Sequence, residues 1–295
     1  MPVLAGTPVG LVDVEAGAVV ELAGRDVWVV HDGWAVLDRH ELARRGDGGP
    51  VTAAPGGAAL TCVAPAPDDP AGAALVGTAG AHLLRAGAAW EPVDGFEQAA
   101  GRAGWYTPWG GAPDVRTLST GPGGTVLVNV HVGGILRSAD GGASWAPTID
   151  IDTDVHQVLA LGDGRAVAAC AEGLAISADD GVTWTLHDEG MHAPYARSVA
   201  VAGDTVLLGV STGPDGGRAA VYRRPLAGAA AFERCQEGLP EDLGGNVDTF
   251  RLVGAPDGTA ALATAAGSVY VSGDEGATWK PVGERVPTVR CLLLG

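Results

Sequence analysis

Lysine is almost missing from this sequence: Lys280 is the only one among 295 residues. In all, 18 basic side chains face 35 acidic ones, for a formal net charge of −17. Nucleic acids and anionic membranes bind clustered positive charge, so this balance excludes both as general partners. Cysteine is scarce and scattered. Cys62, Cys170, Cys235 and Cys291 form no CxxC pair. That spacing argues against a zinc ribbon or a disulfide framework, and for four reduced, buried thiols in a cytoplasmic protein. No run of about 18 uncharged apolar residues occurs, so nothing reads as a membrane span. The opening MPVLAGTPVGLVDVEAG lacks a positive n-region and a continuous apolar core, and does not read as a secretory signal. Aromatics are few, at 5%, yet eight of the fifteen are tryptophan, and these mark the pattern that follows. Hydrophobic residues at 46% and charged residues at 18% describe a folded chain.

What is present is a repeat. SADGGASW (Ser138 to Trp145), SADDGVTW (Ser177 to Trp184) and SGDEGATW (Ser272 to Trp279) all fit S-x-D-x-G-x-[ST]-W, each between short apolar segments. Such a segment closes a tight hairpin. The carboxylates of Asp140, Asp179 and Asp274 accept backbone N–H bonds across the turn, the glycine supplies a positive φ, and the tryptophan packs back on the sheet. Aligning outward from these octapeptides exposes weaker copies along the whole chain. Six units read as strand–turn–strand–turn–strand–turn–strand over residues 18–47, 58–93, 114–147, 155–187, 197–235 and 247–281. A seventh is split: residues 286–295 supply its first strand and residues 2–15 the next two.

The octapeptides resemble the Asp-box of BNR repeats, found in sialidases and related β-propellers of the WD40/YVTN/BNR-like group. The resemblance implies an all-β chain, one seven-bladed β-propeller over residues 1–295, with the closing blade shared between amino- and carboxy-terminal strands. It also implies a structural role for the boxes, away from any pore mouth. Sialidase chemistry itself is not expected, because the Phe/Tyr-Arg-Ile-Pro signature is absent and seven units replace six. Photosystem II assembly factors, which are binding scaffolds with this kind of blade count, are the other likeness.

Propeller topology converts sequence position into face. First-strand heads and second-strand tails share one end, where side chains line the pore mouth. There the alignment places His31 and His131 at second-strand tails. It places Asp114, Arg116, Asp154, His156, Tyr195, Arg197, Asn246, Asp248 and Arg290 at first-strand heads, with His192 just before Tyr195. Three readings follow: a wet channel rim; a divalent-metal site with His131, His156, His192 and Asp154 as ligands; or a metal-free ligand site. In the last, Arg116, Arg197 and Arg290 clamp a carboxylate through their planar guanidinium forks. His131 or His156, with Asp114, Asp248 and Tyr195, then supplies acid–base chemistry. Trp105 and Trp109, in the loop before Asp114, are candidates for a pocket wall. The expectation is a small-molecule site, with hydrolase or lyase chemistry if the protein is an enzyme. The rivals are a protein-interaction scaffold and a metal-dependent enzyme.

Overall fold

The computed structural model describes residues 1–31, 33–46, 51–107 and 110–295, apart from the side chains of residues 70 and 71. They form seven four-stranded antiparallel sheets, the blades of a seven-bladed β-propeller. Blade one comprises Val27–His31, Trp34–Leu37, Glu41–Arg44 and Val51–Ala53, and blade two Leu60–Ala66, Asp69–Thr78, Leu83–Ala86 and Trp90–Pro92. Blade three is Val115–Thr120, Val126–Val130, Gly134–Ser138 and Ala146–Pro147; blade four is Val155–Ala160, Ala166–Cys170, Gly173–Ser177 and Thr185–His187. Blade five is Tyr195–Ala202, Thr205–Ser211, Ala220–Pro225 and Glu233–Arg234; blade six is Leu252–Gly254, Ala260–Ala263, Val269–Ser272 and Lys280–Val282. By contact density the chain divides into two compact units. The first holds Met1–Trp28, Ala169–Leu174 and His187–Gly295; the second holds Val29–Ala168 and Ala175–Leu186.

Blade seven is shared, as the split repeat predicts. Cys291–Leu294 pairs antiparallel with Val3–Thr7, in the register Val3↔Leu294 to Gly6↔Cys291, and Gly10–Asp13 follows. Its fourth strand, Ala18–Glu21, corrects the expected boundary at residue 18. Asp13 accepts the N–H groups of Glu15 and Ala16, both at 3.0 Å, and turns the chain back on its own blade. The side chains of this strand are mostly exposed, as suits an outer strand. Blade one therefore begins at Val27, and each of its strands moves up one place, so that Val27–His31 is the first and Val51–Ala53 the fourth.

The octapeptides repeat their geometry closely. Ser138, Ser177 and Ser272 each donate to the Oδ1 of the following aspartate at 2.7–2.8 Å and accept the glycine N–H at 2.8–2.9 Å. The aspartate receives both the N–H and the hydroxyl of the residue four on: Ser144, Thr183 or Thr278. The serine at the start and the Ser/Thr before the tryptophan thus have definite partners. These bonds favour the ionised carboxylate. The Ser144 hydroxyl and N–H hold Asp140 below the usual carboxylate range, Thr183 holds Asp179 at about 2, and Thr278 holds Asp274 at about 2.

The fourth octapeptide residue is left-handed: Gly141, Asp180 (φ 62°) and Glu275 (φ 57°). Its N–H bonds the first hairpin of its own blade, at Gly124, Gly164 or Gly258. Where it has a side chain, that side chain ties the blade to the preceding one. Asp180 accepts from the Thr125 hydroxyl and from Arg137 at 2.7 Å, and Glu275 accepts from the Thr205 hydroxyl at 2.5 Å.

Neighbouring blades within a unit are also stitched near their first strands. The Ser198 hydroxyl donates to the Val247 carbonyl at 2.8 Å, and the Asn129 amide donates to the Val155 carbonyl at 2.8 Å. At Gly209 the stitch leaves no space for a side chain: a Cβ would lie 2.4 Å from Ser198 Oγ. The blades are closed by apolar layers between them. Ala200, Leu207, Val221, Leu252, Leu262 and Trp279 form one such cluster in the first unit, and Val3, Ala5, Ala261, Val289 and Leu292 are part of another. All four cysteines are buried thiols. Desolvation pushes Cys62 up to about 12 and Cys235 up to about 11.

Candidate functional site

Antiparallel alternation sends first-strand heads and second-strand tails to one end of each blade and the octapeptides to the other. In the second unit this end assembles a compact group. His131 directly follows the second strand of blade three. Asp154 directly precedes the first strand of blade four, and His156 is that strand's second residue. His131 Nε2 stands 4.0 Å from Asp154 Oδ1, and His156 Nε2 stands 3.5 Å from Asp154 Oδ2. One carboxylate thus lies between two imidazoles whose side chains are only 12% and 2% exposed.

Local structure forces Asp154 into that place. Asp150 caps a short 3-10 turn, Ile151–Thr153, by accepting the Asp152 N–H at 2.9 Å. Asp154 ends the turn in the left-handed region, with φ 47° and ψ 69°. A non-glycine residue there stores about 1–3 kcal/mol of strain. Its Oδ1 is buried and has no hydrogen-bond partner, which adds a desolvation cost. The octapeptide aspartates carry neither burden.

The arginine clamp does not assemble as expected. Arg116 and Arg197 are the bulged residues of the first strands of blades three and five, so their equivalence holds in the register. Arg290, however, is committed to Asp26 through two bonds of 3.1 and 3.0 Å, with its guanidinium 3.8 Å from the Trp28 ring centroid. Arg197 faces Asp248 at 3.2 Å, and Arg251 approaches the other oxygen of that carboxylate at 3.5 Å. Two of the three arginines therefore face acids of the chain itself. Asp248, expected to be catalytic, holds two guanidiniums. Sequence reasoning missed Asp26, Trp28 and Arg251. Arg251 alone left a signal, its i,i+3 spacing from Asp248.

Other candidates are redistributed. His31 ends the first strand of blade one, not a second strand, because Ala18–Glu21 belongs to blade seven. It therefore lies at the opposite end of its blade from the place that His131 holds in blade three. Asp114 is tied to blade two by its carboxylate, which accepts the Gly80 N–H at 3.3 Å, and to its own blade by its carbonyl, which accepts the His131 N–H at 2.9 Å. Tyr195 opens the first strand of blade five, half-buried and paired with Ser211. His192 belongs to the first unit, where its Nδ1 meets the Tyr222 hydroxyl at 2.9 Å and the two rings stack. Desolvation, then the fields of Arg218 and Arg234, push its pKa down. Among the described residues no group of three or more His, Cys, Asp or Glu is placed to hold a metal ion. The expected ligand set of His131, His156, His192 and Asp154 is therefore not assembled. Trp105 packs 5.6 Å from Phe96, with Arg102 over its ring at 4.9 Å. Trp109 lies outside the described residues.

No protein-family model matches the chain, and no curated protein does. Solved structures do. A GH74 xyloglucanase from Xanthomonas campestris is 16% identical with a TM-score of 0.60, covering 94% of this chain and 46% of that one. The computationally designed Ika8 protein is 12% identical with a TM-score of 0.59, covering 97% and 85%. YCF48 bound to D1 peptide is 16% identical with a TM-score of 0.50, covering 75% and 67%. The chain spans less than half the length of the xyloglucanase. At these identities the likeness is one of fold. Among the described residues no helix is long and apolar enough to cross a membrane.

Proposed function

We propose that this chain is a BNR-like, Asp-box propeller, residing in the cytoplasm, with a small-molecule site built on His131, Asp154 and His156. The observation that carries this reading is Asp154. A buried carboxylate oxygen without a donor, on a left-handed residue between two imidazoles, is costly for folding and suited to receiving a hydrogen-bond donor from a ligand. Imidazole titrates near neutral pH, and a carboxylate beside it orients its proton, so the same three side chains can move a proton on a bound substrate. Hydrolase or lyase chemistry is the reaction class this supports. Arg116 is the arginine of the expected clamp that lies in the same unit, and a guanidinium is the group type that pairs with a substrate carboxylate. Four buried thiols fit a reducing compartment.

The test is a thermal-shift screen of small hydroxylated and carboxylated compounds against the wild type, His131→Ala and His156→Ala. A compound that stabilises the wild type should lose its effect in both variants, whose own melting temperatures stay within a few degrees. If both variants keep the ligand response, the site lies elsewhere. A second reading, a non-catalytic scaffold for a peptide or protein, is supported by the use that YCF48 makes of a related architecture in binding D1 peptide. A scaffold tolerates loss of His131 and His156 without losing its partner.

A further inference from the structure

Asn129 is fully buried in the second strand of blade three, two residues before His131. It pairs across the ladder with Thr117. The same place in blades two, five and seven is glycine: Gly77 pairs with Cys62, Gly209 with Ser198 and Gly6 with Cys291. No side chain fits at those three. A Cβ would lie 2.4–2.5 Å from the sulfur or oxygen of the paired residue, and 2.4–3.0 Å from Val115, Val247 or Val27 at the head of the next blade. In blade five the paired residue itself spans the junction, the Ser198 hydroxyl donating to the Val247 carbonyl at 2.8 Å.

In blade three an amide side chain occupies that place and takes over the bond. The Thr117 hydroxyl donates to Asn129 Oδ1 instead, and Asn129 Nδ2 donates to the Val155 carbonyl at 2.8 Å. Thr117 also accepts the Val158 N–H at 3.0 Å, so the pair grips the first strand of blade four at two points. A side chain here demands more room between the second strand and the next blade than the glycine junctions leave, because packed atoms do not overlap. Val155 lies between Asp154 and His156 in the chain. The carbonyl that Asn129 holds therefore sets where both stand, and His131 follows from the strand that carries Asn129. We propose that Asn129 is a positioning residue, a role that rests on reading His131, Asp154 and His156 as the binding site. It keeps blades three and four at the spacing that sets one carboxylate between two imidazoles, and glycine in its place draws Val155 towards Thr117 and closes that spacing.

The test reads both imidazoles by NMR in ligand-free, histidine-labelled protein. Asn129→Gly installs the residue of the other three blades and frees the Thr117 hydroxyl to bond the Val155 carbonyl, as Ser198 bonds Val247. The signals of His131 and His156 should both move, and a crystal structure of the variant should show Asp154 displaced by about 0.5–1 Å relative to His131. Ser198→Ala breaks the corresponding bond between blades five and six and should leave both signals in place. Thr117→Val keeps Asn129 but removes its partner; it should move the same signals by less, and it decides the matter if Asn129→Gly does not fold. Unmoved signals in folded Asn129→Gly, or failing that in Thr117→Val, would overturn the proposal. Equal movement in Ser198→Ala would do so too, since it marks a general loosening of the blades. If the signals move as expected but no compound stabilises the wild type, the small-molecule reading fails and the positioning of the three side chains stands.

Discussion

The octapeptide hairpins and the Asp154 corner use the same residue type for opposite ends. Asp140, Asp179 and Asp274 are mostly exposed, yet each carboxylate receives donors on both oxygens, and the pattern recurs three times. Asp154 is more deeply set and occurs once, on a strained backbone with a buried oxygen left open. A repeated, satisfied group lowers the free energy of the fold at every copy. A single, unsatisfied one raises it, and persists only because the rest of the blade holds it in place. The comparison shows why the most recognisable acids of this chain are poor functional candidates and a less conspicuous one is the better candidate.

The largest expected effect tests the frame that allows such strain. Deleting residues 290–295 removes Cys291 and Leu292, which are almost fully buried, and exposes two strand edges. We expect a loss of several kcal/mol from a typical total of about 5–15. Chemical denaturation measures it, and a midpoint equal to the wild type would remove the closing strand's importance.

Next comes Arg290→Ala, which breaks the paired bonds to Asp26 and the stack on Trp28. Both side chains are about a quarter exposed, so screening limits the effect to about 1–2 kcal/mol. Ligand response at the Asp154 site should stay unchanged, whereas a clamp role for Arg290 would abolish it.

The hairpin acids are expected to act through pH. Asp179 and Asp274 titrate at about 2 in the folded protein, below the value of about 3.9 in an unfolded chain. Their contribution is therefore present above about pH 4 and lost as pH falls towards about 2. Asp179→Ala and Asp274→Ala should melt a few degrees lower at neutral pH and show a shallower loss of stability over that window. Melting curves that differ from the wild type equally at every pH would reject this linkage.

The smallest effect is the sharpest for the comparison. Asp154→Gly removes the left-handed strain and the open oxygen together, so stability should rise by about 1 kcal/mol while ligand response disappears. Destabilisation instead would mean that Asp154 serves the fold, as the octapeptide aspartates do.

Much of the architecture was legible in the chain because repeats report it redundantly. Three octapeptides in register, with weaker copies between them, mark the blades; the split unit predicts the pairing of Val3–Gly6 with Cys291–Leu294. The first blade was misjudged because Ala18–Glu21 carries no octapeptide, and an outer strand and a first strand of similar residues look alike. His31 was carried with that slip to the wrong end of its blade. The adjacency of His131, Asp154 and His156 follows from topology and could be read in advance. The neutralisation of Arg290 by Asp26 could not, since 264 residues separate them.

By itself the sequence determined the repeat, the hairpin chemistry of S-x-D-x-G-x-[ST]-W and the positions that face one end of each blade, because these depend on neighbours a few residues apart. Only the tertiary structure decided which of those positions carry an unmet demand. Whether a carboxylate is satisfied depends on donors brought from other blades and on the water excluded around it, and both arise only when distant strands pack.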